Sequence, residues 1–274
     1  MKNLRITCSS FGALILVCLF GLQPLLAQDD DTQSVLISID YMKTTGDGAM
    51  ELEEKFWKPI HAERQKQGKL LDWGLMRRVY PYGSAVEYDY ITINVYKDLA
   101  QAEMTYDDLE AIAKKVHPSA DIAKKLAATE ASRKLVKGEV FYTIARTENP
   151  DEAGSPVGDY IVMNHMQSVG SASAYVKMEM DLYRPVHQEA VNAGRMQAWF
   201  MMGRAIPGGS SYGYNYITMD VYKSLEQYPP DTEGLVEKAH KDEAARKKYM
   251  ETNPNKHRKV VRADMYQMMS VLEE

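Results

Sequence analysis

Along the chain, apolar and polar positions change period in a regular order. Residues 34–43 (SVLISIDYMK) alternate and are rich in β-branched side chains, which predicts a strand. Over 49–67, Leu52, Phe56 and Ile60 recur at helical spacing, and Gly68 stands where a helix end favours a left-handed residue. Residues 70–80 predict a second strand, Pro81-Tyr82-Gly83-Ser84 a turn, and 88–97 a third strand. A helix over 105–134 is interrupted at His117-Pro118, because the residue before a proline is driven out of the helical region. Residues 136–146 predict a fourth strand. The order then returns: strand 159–167, helix 172–193, strands 196–206 and 214–223, helix 232–250, strand 260–271.

This recurrence extends to residue identities. Trp57-Lys58-Pro59-Ile60-His61 reappears as Tyr183-Arg184-Pro185-Val186-His187, and Tyr90-Ile91-Thr92-Ile93 as Tyr216-Ile217-Thr218-Met219. Both matches have an offset of 126, and 18 of the 43 positions from 57 to 99 are identical without a gap. An internal duplication is expected, with repeats at 34–147 and 159–272 joined by the Pro-, Gly- and acid-rich linker 148–158. Each repeat reads β-α-β-β-α-β, the ferredoxin-like split unit of an α+β protein. Two such units in one chain resemble the dimeric α/β-barrel superfamily. That resemblance implies two antiparallel sheets facing each other around a cavity, with helices outside, as an intramolecular α/β barrel. The superfamily includes cofactor-free monooxygenases and haem enzymes, and fold alone does not choose among its activities.

Composition narrows the classes. The chain has 274 residues, with 33 Lys plus Arg against 38 Asp plus Glu, and this acidic balance argues against general nucleic-acid binding. Residues 1–27 read as a signal peptide. Lys2 and Arg5 precede an apolar run from Phe11 to Gly21, too short to span a bilayer, and Ala27 marks a cleavage point. An exported chain, periplasmic or secreted and free of the membrane after cleavage, is the expectation. Both cysteines, Cys8 and Cys18, fall in the leader, so the mature chain offers neither disulfide nor thiolate chemistry. No metal-binding spacing is present; Met163, Met166, Met178, Met180, Met201 and Met202 read as adaptable core.

The third strand of each repeat carries the candidate site. Ile91, Ile93 and Val95, and likewise Ile217, Met219 and Val221, form a face suited to packing under helices. The other face carries Tyr88, Tyr90, Thr92, Asn94 and Tyr96, then Tyr214, Tyr216, Thr218, Asp220 and Tyr222, and is expected to line the cavity. Ser38, Asp40 and Asn164 share that phase on the first strands. Tyrosines with a few amides and acids suit a small amphipathic or aromatic molecule; equally, they can fill the space between sheets.

On the helices, Pro59 and Pro185 should kink the chain and free a carbonyl one turn earlier. Trp57 with His61, and Tyr183 with His187, are i,i+4 neighbours that can stack. His61 and His187 are read as pinned helix-end residues or, alternatively, as proton carriers or haem ligands. Glu53 and Glu179 sit at the margin of the apolar stripe and need partners, for which Arg78 and Arg204 are candidates. Three functions remain open: a small-molecule-binding protein without cofactor, a cofactor-free or haem oxidoreductase using the same cavity, and a structural module with a filled core.

Overall fold

The computed structural model describes residues 35–83, 85–149, 157–209 and 212–272; the leader and most of the 148–158 linker lie outside them. Eight antiparallel strands close into one barrel. In chain order they are β1 (Leu36–Thr44), β2 (Asp72–Tyr80), β3 (Tyr90–Tyr96), β4 (Arg133–Arg146), β5 (Tyr160–Ser168), β6 (Ala198–Ile206), β7 (Tyr216–Tyr222) and β8 (Arg258–Val271). Around the ring the order is β1-β3-β2-β8-β5-β7-β6-β4. The halves therefore meet edge to edge, through the β2–β8 and β4–β6 ladders, and do not face each other as separate sheets. Closure pairs every strand edge, which removes the exposed backbone that an open sheet would present.

Helices cover the outside. The first long helix is built from α1 (Ala49–Leu52), a π-helical turn Glu53–Trp57, and α2 (Lys58–Lys66). Its counterpart is α6 (Ala172–Met178), a π turn Glu179–Tyr183, and α7 (Arg184–Asn192). Pro59 and Pro185 stand just after these turns, so the expected disturbance takes the form of a widened turn. Carbonyls within the turns are taken up from outside: His117 Nε2 donates to Phe56 O at 3.0 Å and His240 Nε2 to Leu182 O at 2.9 Å. Between β3 and β4 lie α3 (Leu99–Ala102), α4 (Tyr106–Val116) and α5 (Ile122–Ser132). Thr105 and Asp108 cap α4 reciprocally, and the break at His117-Pro118 falls where the proline predicts it. The single helix expected over 232–250 is instead α8 (Leu235–Ala239) and α9 (Glu243–Glu251), parted at His240 with Asp242 capping the second piece.

The direction of the strand faces is opposite to the sequence expectation. Ile91, Ile93 and Val95 point into the barrel, where they pack with Ile39, Met163, Ile217, Met219 and Phe141. Tyr90 and Tyr96 pack with Ala49 and Trp73, and Tyr216 and Tyr222 with Tyr175, Leu182 and Val186, beneath the helices. An eight-stranded ring has an interior just wide enough for side chains to fill, and the apolar faces of β3 and β7 fill much of it. Tyr90 goes outside, where Glu53 on the helix receives its hydroxyl, whereas Tyr41 and Tyr266 stay inside the barrel.

Candidate functional site

Each half has a polar constellation between its long helix and the outer face of the sheet. In the first half, the π turn directs Glu53, only 1% exposed, onto the sheet. Tyr90 donates its hydroxyl to Glu53 Oε1 at 2.9 Å, and Arg133, at the start of β4, closes an ion pair on the same oxygen. The Arg133 guanidinium also lies over Trp57, 5.2 Å from the ring centroid. In the second half Arg258, at the start of β8, pairs with Glu179 and lies 5.1 Å over Tyr183. Burial raises the Glu179 carboxyl, and Arg258 opposes that shift.

These pairings correct the expected partners. Arg78 and Arg204 cannot reach Glu53 and Glu179, because alternation along β2 and β6 turns them into the barrel, where they meet Asp264 and Glu139. Arg133 and Arg258 were missed, although a signal for them existed. RKLVKGE from Arg133 and RKVVRAD from Arg258 repeat at an offset of 125, one less than the offset elsewhere.

Beside each ion pair, adjoining strands present one carboxyl and one amide. Asp40 of β1 pairs with Thr92 of β3, with Asn94 two residues further along that face; Asn164 of β5 pairs with Thr218 of β7, with Asp220 two residues further. Acid and amide have thus exchanged strands between the halves. In the second half Asn164 Nδ2 donates to Asp220 Oδ2 at 2.9 Å and to Thr218 Oγ1 at 3.3 Å. Burial pushes the Asp220 carboxyl up to about 7, the bond from Asn164 opposing and the Glu179 charge adding to it. Asp220 and Asn164 both keep accessible surface. Asp40, also partly accessible, is raised by burial and pulled back by Arg133.

The remaining sequence candidates divide between the two sides of the sheet. Thr92, Asn94, Tyr96, Thr218 and Tyr222 are buried on or beside the outer-face constellations. Tyr88 and Tyr214 instead belong to the barrel interior, where Tyr88 donates to Asp264 at 2.9 Å and Tyr214 to Glu139.

His61 is stacked on Trp57 (6.2 Å) as expected and more closely on Trp73 of β2 (5.2 Å, 15°), with Arg64 Nη1 3.3 Å from Nδ1. His187 lies flat on Trp199 of β6 (5.2 Å, 11°), while Tyr183 turns to Tyr249. Burial pushes His61 down to about 3 and His187 to about 4, so both rings are neutral. Wedged between helix and strand, with a guanidinium against Nδ1 of His61, these imidazoles do not fit the axial position of a haem iron. Among the described residues no group of three or more His, Cys, Asp or Glu side chains could hold a metal, and no helix is long and apolar enough to cross a membrane.

Compared with protein-family models and with curated protein sequences, the chain matches none. Among solved structures it is similar to an anthrone oxidase-like protein, at 11% identity over 88% of this chain and 93% of that one, with a TM-score of 0.48. It is similar to a dye-decolorizing peroxidase from Bacteroides thetaiotaomicron VPI-5482, at 9% identity over 88% and 94%, TM-score 0.46. A chlorite dismutase variant from Candidatus Nitrospira defluvii is similar at 10% identity over 86% and 91%, TM-score 0.42.

Proposed function

We propose that this chain is an exported small-molecule-binding protein, built as two ferredoxin-like units in tandem, whose ligand lodges in a recess at Asp220 between the second-half helix and the sheet. Asp220 carries the reading. It is a partly accessible carboxyl, held by Asn164, that burial pushes up to about 7. Near neutral pH such a group donates a hydrogen bond when protonated and accepts one when ionised. Around it, Thr218, Tyr216 and Tyr222 supply apolar area with polar tips. The matching ligand is a small amphipathic or aromatic molecule bearing one hydroxyl or carbonyl group.

Asp220 also favours a second reading, a cofactor-free oxidoreductase in the same recess. A carboxyl that titrates near neutrality is matched to take a proton from a phenol or an enolisable carbonyl compound and return it. Neither His61 nor His187 serves as a haem ligand in either reading.

Thermal shift with phenol, 1-naphthol and 1-tetralone as probes tests the site. Wild-type protein should show a saturable rise in Tm with at least one probe, and Asp220→Asn should weaken that probe about tenfold, the worth of one hydrogen bond. No response in wild type, or an unchanged affinity in the variant, overturns the assignment. Probe-dependent oxygen consumption in wild type, lost in Asp220→Asn, selects the oxidoreductase.

A further inference from the structure

The inner face of the sheet carries a second polar cluster, separate from the recess. Alternate strands run in opposite directions around the ring, so the C-terminal ends of β1, β2, β5 and β6 and the N-terminal ends of β3, β4, β7 and β8 share one end of the barrel. That end is polar, whereas Ile37, Val95, Phe200 and Val271 pack the remainder. The ladders set Phe141 opposite Arg204 and Tyr266 opposite Arg78, so Glu139 corresponds to Asp264 and Lys137 to Arg262.

The two corresponding groups are not equally satisfied. Glu139 meets Arg204 Nη1 at 3.3 Å and Lys137 Nζ at 3.2 Å, and accepts from the Tyr214 hydroxyl. Asp264 is one methylene shorter. Its Oδ2 meets Arg262 Nε at 2.6 Å and the Tyr88 hydroxyl at 2.9 Å, and Arg78 Nη1 is left 3.9 Å from Oδ1. Among the described residues, Nη1 and Nη2 of Arg78, whose side chain is 2% exposed, and the facing Oδ1 of Asp264 have no hydrogen-bond partner. Unmade bonds on a buried cation are more costly than on a neutral donor.

The electrostatic balance at this end also favours an anion. Lys137, Arg204, Arg78 and Arg262 face two buried carboxylates, and the third acid, Glu87, lies at the rim, 54% exposed and 3.4 Å from Arg262. His165, beside Arg262 in the β5–β8 ladder, registers the excess: burial first, then Lys137, Arg262 and Arg204, push it down to about 3. Arg262 is 32% exposed, which opens the cluster to the barrel mouth.

We propose that this end of the barrel binds a small oxyanion, of the phosphate, sulfate or carboxylate class, between Arg78 and Arg262. The anion supplies the acceptors that Asp264, one methylene shorter than Glu139, does not bring to Arg78.

Thermal denaturation of the full chain in inorganic phosphate against chloride, at constant ionic strength, tests this. A saturable rise in Tm of about 2 °C or more is expected in phosphate. Asp264→Glu extends the carboxylate toward Arg78, and should stay folded in chloride and lose the phosphate response. Arg262→Gln removes a partly exposed cation, and should weaken the response about tenfold even if Asp264→Glu fails to fold. A phosphate effect no larger than that of chloride in wild type, or one left intact in either folded variant, overturns the proposal.

Discussion

Replacing Tyr90 with Phe tests whether the third-strand tyrosines are pinned under the helix or look into open space. The Tyr90 ring is 1% exposed and packs with Ala49 and Trp73, contacts that Phe preserves. What is lost is the hydroxyl, which donates to Glu53 Oε1 at 2.9 Å. A hydrogen bond to a charged acceptor contributes about 1.5–3 kcal/mol. Arg133 remains on that same oxygen, which keeps the loss toward the lower end, about 1.5–2 kcal/mol. For a barrel of this length the loss corresponds to roughly 3–8 °C in Tm. Tyr216 is the counterpart, and among the described residues its hydroxyl makes no hydrogen bond, so Tyr216→Phe should cost under about 0.5 kcal/mol. Urea denaturation of both variants reads the difference as a lower midpoint at unchanged slope for Tyr90→Phe alone. Equal losses in the two variants, or a negligible loss in Tyr90→Phe, would refute the pairing of Tyr90 with the π-turn glutamate.

Asp220→Asn should be more stable than wild type at pH 8 and equal to it near pH 4. A carboxyl raised to about 7 favours the folded state below its unfolded value of 3.8 and loses that contribution as pH climbs through 7, at up to about 1.4 kcal/mol per pH unit. His61 and His187 act in the opposite direction. Folded values of about 3 and 4 mean that stability is full above the unfolded value of 6.5 and falls as the solution is acidified below it. Proton NMR should find neither ring titrating between pH 5 and 8. Glu139→Gln leaves Arg204 and Lys137 without their shared carboxylate on the β4–β6 seam and should cost about 3–5 kcal/mol in chemical denaturation. A loss under about 1 kcal/mol would mean that this cluster contributes nothing to barrel closure.

Order and type of the elements were legible because periodicity is local. Alternation over Ser38 to Met42 marks a strand wherever that strand is placed, and the proline after His117 ends a helix whatever packs against it. The polar phase was legible for the same reason. Asp40, Thr92, Asn94, Asn164, Thr218 and Asp220 do share one face of the sheet. Which face turns inward was not. A period of two separates the two sets of side chains but carries no sign. The sign was set when β2 met β8 and β4 met β6, leaving an interior that the isoleucines and methionines could fill. The same closure turned Arg78 and Arg204 away from the glutamates they were expected to meet and brought Arg133 and Arg258 to them instead. Sequence by itself determined the elements and the composition of each strand face. Only the tertiary structure decided the partners, because ion pairs and hydrogen bonds depend on distances across ladders that no local pattern encodes.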